Sequence, residues 1–280
     1  MYNGAPAPIA TFLATVAKVA TIGLFIRYLL SSGIILIPSI QVLMIVLAVA
    51  SIIVGNLLAL RQQNLKRILG YSSIAHFGYL LLAPLSIMHD SQTSVTMYIF
   101  TYVLTTIGAF GVVTLMSSPY SKLDDSENLD LYRGIFWKHP ILTATLTVMM
   151  LSLAGIPLTA GFIAKFLIVK DIVNGNSWFL AIMLIIGSGI GLYYYLRVII
   201  TLYKKPETTT AEPIQFWGQK AGGIVVFISA VLVFLVGIYP DPIISLIDSI
   251  NIVSPLHDYL IHLSQNTGAE SLPMPTTEAK

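Results

Sequence analysis

The apolar region from Ile141 to Ile172 is too long to cross a bilayer as one straight helix. At 1.5 Å per residue it would reach about 48 Å, against a hydrocarbon core of about 30 Å. Such a segment must tilt strongly, project into water or break. The run Leu153-Ala154-Gly155-Ile156-Pro157-Leu158-Thr159-Ala160-Gly161-Phe162 contains the residues that allow a break: Gly155, Pro157 and Gly161. Lys165 follows directly, and a lysine at a helix centre in the bilayer costs about 2.5–3.5 kcal/mol even on lenient insertion scales. Non-helical backbone at that depth is tolerated only when buried in protein or lining a wet cavity. A broken helix over about 140–173 with a lysine beside the break therefore predicts an ion path.

The whole chain shares this character. Its 280 residues are 56% hydrophobic and only 10% charged, with a mean hydropathy of +0.82. Soluble domains carry about 25% charged residues, so an all-α integral membrane protein is expected. Cysteine is absent, which excludes thiol catalysis, iron–sulfur ligation and a disulfide framework. No metal-ligating set is assigned. The net charge of +2 is small and dispersed, which argues against a nucleic-acid partner. The start Met1–Pro8 lacks a basic region, and the apolar stretch after it contains Lys18, so no cleavable signal peptide is read.

Hydropathy predicts about seven transmembrane helices, near 9–30, 37–60, 67–88, 94–117, 140–173, 177–203 and 220–240. Turn signals such as Ser31-Ser32-Gly33, His89-Asp90-Ser91 and Asn174-Gly175-Asn176 separate them. Arg61, Lys66 and Arg67 follow the second span, Lys122, Arg133 and Lys138 the fourth, and Lys204, Lys205 and Lys220 the sixth. The alternate side holds only Arg27, Lys170 and Lys280. The positive-inside rule puts the richer links in the cytoplasm, with the N-terminus cytoplasmic and the C-terminus periplasmic. Ser121–Lys138 is polar, with interspersed Leu129, Leu131, Ile135 and Phe136, and reads as an interfacial helix. Asp241–Gln265 reads as an amphipathic segment on the outer surface or against a partner, and the tail from Asn266 as disordered.

Few ionisable residues fall inside the spans. Lys18 lies near the centre of the first, His76 in the third, Lys165 in the fifth and Arg197 in the sixth. Arg197 is close enough to Lys204 to snorkel to the surface as an interface anchor. Lys18 and Lys165 each have two readings: a structural lysine bonded to backbone carbonyls, or a proton-loading site, because burial disfavours the ammonium form. His76 lies in the run Tyr71-Ser72-Ser73-Ile74-Ala75-His76-Phe77-Gly78-Tyr79. Tyr71, Ser72, Ser73 and Tyr79 supply the hydroxyls a water-assisted relay needs. The same Ser, Ala and Gly residues would equally serve helix packing. None of the thirteen Asp and Glu residues is placed inside a span, Asp171 at the outer edge of the fifth coming closest. A carboxylate to modulate a lysine site is therefore expected from another polypeptide or from sequence outside this chain.

Three separated motifs carry a family resemblance covering about residues 2–240. Gly4-Ala5-Pro6-Ala7-Pro8 with Thr11-Phe12-Leu13-Ala14-Thr15 and Lys18 resembles the antiporter-like membrane subunits of proton-pumping NADH:quinone oxidoreductase (complex I). These residues favour the subunit N branch over the sister subunits L and M. Arg61-Gln62-Gln63-Asn64-Leu65-Lys66-Arg67-Ile68-Leu69 with Tyr71–Tyr79 resembles the following helix pair. Leu153–Phe166 resembles the broken-helix motif, departing at Leu158, where a second proline is common, and at Ala164, where glycine is common.

The resemblance implies a translocase subunit with no redox centre of its own. NADH, flavin, iron–sulfur clusters and quinone would bind other subunits. Lys18 matches the lysine linking two half-channels, His76 the linking histidine, and Lys165 the lysine of the outward half-channel. Lys66 is a weaker carry-over, since loop charge explains it adequately. Family members have about fourteen spans in two inverted repeats, and the chain resembles only the C-terminal half, one repeat plus a terminal helix. It is therefore expected to be a fragment, a split gene or a truncated reading frame. The expected organisation is an antiporter-like region with a central helix over 1–203, a linker and last span over 204–240, and a periplasmic segment with its tail over 241–280. The expected partners are the bilayer of a bacterial inner membrane, the other membrane subunits of complex I and the missing N-terminal half. Two other readings stand beside this one: a subunit of a multi-subunit cation/proton antiporter, and a non-functional membrane remnant.

Overall fold

A computed structural model describes residues 7–32, 34–85, 91–116, 128–205 and 221–249. Helices lie at all seven predicted span positions. The first position holds α1 (Ala7–Phe12), a π-helical stretch (Leu13–Ala17) and α2 (Lys18–Ser31), which run on without a break in helical dihedrals. Then come α3 (Pro38–Leu60), α4 (Leu65–Leu82), α5 (Ser91–Met116), α6 (Pro140–Ala154), α7 (Ala160–Asn174), α8 (Trp178–Tyr203), α9 (Ala221–Ile238) and α10 (Asp241–Ser249). Among the described residues, four helices are individually long and apolar enough to cross a membrane: α3, α5, α8, and α4 with the turn that extends it to Leu85. The fifth predicted span is divided into α6 and α7, as its glycines and proline required. At the seventh position stands α9, and α10 after it is bent against it by 88°.

Local chemistry sets the boundaries. Pro38 and Pro140 open α3 and α6, where the missing N–H is one the helix would leave unpaired in any case. Asn64 caps α4, its Oδ1 accepting from the Arg67 amide at 3.1 Å. At the end of α6, Gly155 takes φ 85°. The Ile156 amide reaches back to the Leu151 carbonyl and the Gly155 amide to that of Ser152, both at 3.0 Å. This is a Schellman stop, with Pro157 beyond it to prevent resumption.

The α3–α4 pair packs backbone to backbone. A Cβ on Gly55 would stand 2.6 Å from the Ala75 amide nitrogen, and one on Gly78 would stand 2.7 Å from the Ala48 carbonyl oxygen. The packing reading of the His76 segment thus applies to Ala75 and Gly78, leaving Ser73 and His76 for other contacts. Val42, Leu43 and Val46 on α3, Ile182 and Ile185 on α8, and Ile224 and Val225 on α9 are exposed, a surface suited to acyl chains.

The segment read as an interfacial helix is corrected. Its described part, residues 128–138, forms two short 3₁₀ turns, Leu129–Tyr132 and Ile135–Trp137, separated by Gly134 at φ 73°. Leu129 and Tyr132 are buried. The Leu129 amide bonds the Gln63 carbonyl at 2.8 Å and the Gly134 amide that of Thr201 at 3.2 Å. Burial against α3, α4 and α8, with a left-handed glycine, replaces a continuous helix. Of the predicted outer segment, Asp241–Ser249 is helical, while residues 250–280 and 117–127 lie outside the described residues.

Candidate functional site

The face of α4 that carries Ser73, His76 and Tyr79 joins the two lysines. These residues are spaced three apart, which stacks them along one stripe over about 9 Å. At one end the Lys18 ammonium donates to the Ser73 hydroxyl, which in turn donates to the Gly70 carbonyl at 2.6 Å. Lys18 also stands 5.4 Å from the centroid of the Phe77 ring. The π-helical stretch precedes it immediately, and the Tyr102 hydroxyl donates to the Ala14 carbonyl there at 3.4 Å. Such stretches recur at functional sites in helices.

In the middle of the stripe His76 is buried. Its Nδ1 lies 2.7 Å from the Tyr98 hydroxyl and its Nε2 3.2 Å from the Tyr195 hydroxyl. At the far end Tyr79 lies under Lys165, whose Nζ is 5.2 Å from the ring centroid. The Asn56 amide donates to the Tyr79 hydroxyl at 2.9 Å and accepts from the Tyr194 hydroxyl at 3.0 Å. α3, α4 and α8 are thereby tied together beneath the lysine.

Lys165 folds back across the break. Its Nζ donates to the Leu153 carbonyl at 3.0 Å and the Ala154 carbonyl at 2.9 Å. These two carbonyls lie in the last turn of α6, beyond the reach of its helical amides, at the negative end of the helix dipole. The break thus creates both the kink and the oxygens that hold the cation. Gly161 permits the close approach: a Cβ there would overlap the Ser152 carbonyl, while its own amide bonds the Ser152 hydroxyl at 3.1 Å. Leu158, the point of departure from the motif, sits at φ 71°, a conformation that proline, locked near −65°, cannot take.

Two small voids flank His76. One is lined by Lys18, Phe77, His76, Tyr98 and Tyr102. The other is lined by His76, Tyr98, Tyr102, Thr101, Thr105 and Lys165, among others. Each has room for about one or two waters. The Thr101 hydroxyl, on the wall of the second, is buried with no protein partner.

The structure thus brings Lys18, Ser73, His76, Tyr79 and Lys165 together with Gly155 and Gly161, and Pro157 sits in the break. Ser72 is buried beside Ser73 and donates to the Leu69 carbonyl at 3.0 Å. Tyr71 packs half-buried on the apolar core. Lys66 stands about 15 Å from His76 along α4 and is buried, with 4% exposure, so it is no solvated loop charge. Arg197 reaches the Leu60 carbonyl at 3.2 Å and also that of Gln62, capping α3. Asp171, placed at an outer edge from sequence, is buried on α7 at 7% exposure. Its backbone position is about 9 Å from that of Lys165 along the helix axis.

Sequence reasoning missed Asn56, Tyr98, Tyr102, Tyr194 and Tyr195. Signals for three of these positions exist: Tyr98 and Tyr102 are four apart on α5, and Asn56 is an amide inside Ile52-Ile53-Val54-Gly55-Asn56-Leu57-Leu58.

Comparison with known proteins completes the picture. A family model described as "NADH:quinone oxidoreductase/Mrp antiporter, TM" matches residues 1–191. The chain is 63% identical over 258 residues to NADH-quinone oxidoreductase subunit N of Acinetobacter baumannii, covering 92% of this chain and 52% of that protein. It is 52% identical over 246 residues to the protein of the same name from Psychrobacter arcticus, covering 87% and 50%. Among solved structures, a chain of respiratory complex I from Thermus thermophilus with bound aureothin superposes with a TM-score of 0.73 at 32% identity, covering 87% of this chain and 52% of that one. The chain thus spans about half the length of the curated relatives it matches.

Proposed function

We propose that this chain, which belongs to the NADH:quinone oxidoreductase/Mrp antiporter transmembrane family, translocates protons as part of a membrane subunit of NADH:quinone oxidoreductase. One observation carries the reading: a half-buried Lys18 and a buried Lys165 at opposite ends of an α4 stripe, with a doubly hydrogen-bonded histidine between them. A charge held in such surroundings is poorly solvated, so a change in a neighbouring charge moves protons along the series Lys18, His76, Lys165. Redox chemistry and quinone binding belong to other subunits in this reading, and the charge that drives the series comes from a partner membrane chain. The Arg- and Lys-rich links face the cytoplasm of a bacterial cell and the opposite ends face the periplasm.

The test is Lys165→Met in the assembled complex reconstituted into vesicles. The rate of proton translocation through this chain is expected to fall about a hundredfold or more, the low end of what a proton-transfer group contributes. Unchanged translocation alongside full electron transfer would remove Lys165 from the path. The family also includes Mrp antiporters, and sodium-dependent proton efflux without NADH oxidation would move the assignment there.

A further inference from the structure

We propose that Tyr98 is the relay through which protons enter and leave His76, and the valve that separates the Lys18 side from the Lys165 side. The proposal rests on the proton-translocation reading and adds a residue to it. An imidazole offers one hydrogen-bonding position on each ring nitrogen, and both positions on His76 end on phenols, Tyr98 at Nδ1 and Tyr195 at Nε2. A proton exchanged with His76 therefore crosses a phenol oxygen. Only one of the two phenols borders the voids: Tyr98 lines both, whereas Tyr195 lines neither. The Tyr195 ring instead packs tilted against Tyr194, with centroids 4.5 Å apart.

The step balances without net chemistry on the phenol. As the Tyr98 oxygen accepts a proton that the Lys18 ammonium has passed to a water in one void, it passes its own hydrogen to His76 Nδ1. The hydroxyl then rotates toward the other void, and Nδ1 returns a proton to the oxygen while the hydroxyl hydrogen leaves through a water there to a neutral Lys165 amine. The phenol is neutral before and after. One hydroxyl hydrogen points to one side at a time, so the two voids are never joined through Tyr98 in a single step. The unpartnered hydroxyl of Thr101, one turn along α5 on the wall of the Lys165 void, gives a water there the second partner it needs.

Tyr98→Phe keeps the ring and removes the relay. In the assembled complex in vesicles it is expected to lower the rate of proton translocation about a hundredfold or more. Replacing Tyr98 with 3-fluorotyrosine keeps the shape and the hydrogen bond but makes the phenol more acidic, so it should shift the pH profile of translocation; a purely structural tyrosine would leave the profile in place. Native translocation in Tyr98→Phe, or an unmoved pH profile with 3-fluorotyrosine, overturns the proposal. The Lys165→Met variant measured in parallel separates the two readings. If it loses translocation while Tyr98→Phe keeps it, only the relay falls; if both are silent, the proton path itself falls.

Discussion

Lys165 uses two of an ammonium's three donors on the Leu153 and Ala154 carbonyls. The structural reading of this lysine, bonded to backbone carbonyls, is thus met by the geometry, and the proposed proton-loading role would have to act from the same position. The same economy applies to Asn56, whose amide holds Tyr79 and Tyr194 in place from the middle of an apolar helix. Interhelical hydrogen bonds in membrane proteins average about 0.6 kcal/mol. Asn56→Leu, which loses two of them at similar volume, should destabilise the bundle by about 1–2 kcal/mol. Unfolding in a graded detergent titration measures this, and a variant as stable as the parent would show that Asn56 does not hold the two phenols. Lys18, His76 and Lys165 were legible in the sequence because a charge or an imidazole stands out in an apolar run. Tyr98 is marked only by its spacing from Tyr102, and Tyr195 not at all, because tyrosine counts as apolar in a hydropathy window. Their role arises only when α5 and α8 are laid against α4, a contact 22 residues away in the first case and 119 in the second.

The broken segment was legible as an element, because its length, its glycines and its proline admit no straight helix. Its internal geometry was not, since the sequence does not say which residue meets which across the break. Gly161 is the tightest point: any side chain there overlaps the Ser152 carbonyl. Overpacking of this kind costs about 1–3 kcal/mol, and relief requires α7 to move off α6, drawing Lys165 from its two carbonyls. Gly161→Ala should therefore lower both the detergent melting temperature and proton translocation. Gly189→Ala is the control, since a Cβ there meets nothing within 4 Å, and it should leave both unchanged. A Gly161→Ala protein that melts and translocates like the parent would mean that the two helices are not held this closely. The interfacial segment shows the opposite case, where composition suggested a helix and a single left-handed glycine with two buried side chains decided otherwise.

At the scale of the whole molecule, the charge distribution and the hydrogen bonds agree. Sequence placed three Arg- and Lys-rich links on one side of the membrane, and the structure brings their described parts to one end of the bundle. Arg197 joins the α3 terminus and Gln62 to α8, Leu129 bonds Gln63, and the Arg133 guanidinium donates to the Lys205 carbonyl at 3.2 Å. Asn174, at the end of α7, is separated from Gln63 by α4, α5 and the α6–α7 pair, an odd number of crossings. Because the chain has no cysteine, single cysteines report sidedness without background. Gln63→Cys and Lys138→Cys should react with a membrane-impermeant maleimide from the cytoplasmic face, and Asn174→Cys only from the opposite face. All three positions are exposed, so access is governed by side rather than burial. Labelling of Gln63→Cys and Asn174→Cys from the same face would break the crossing count, and with it the placement of Lys165 inside the bilayer. Reversal of both would keep the bundle but invert it, and Lys165 would then lie on the path from the cytoplasm rather than the path out.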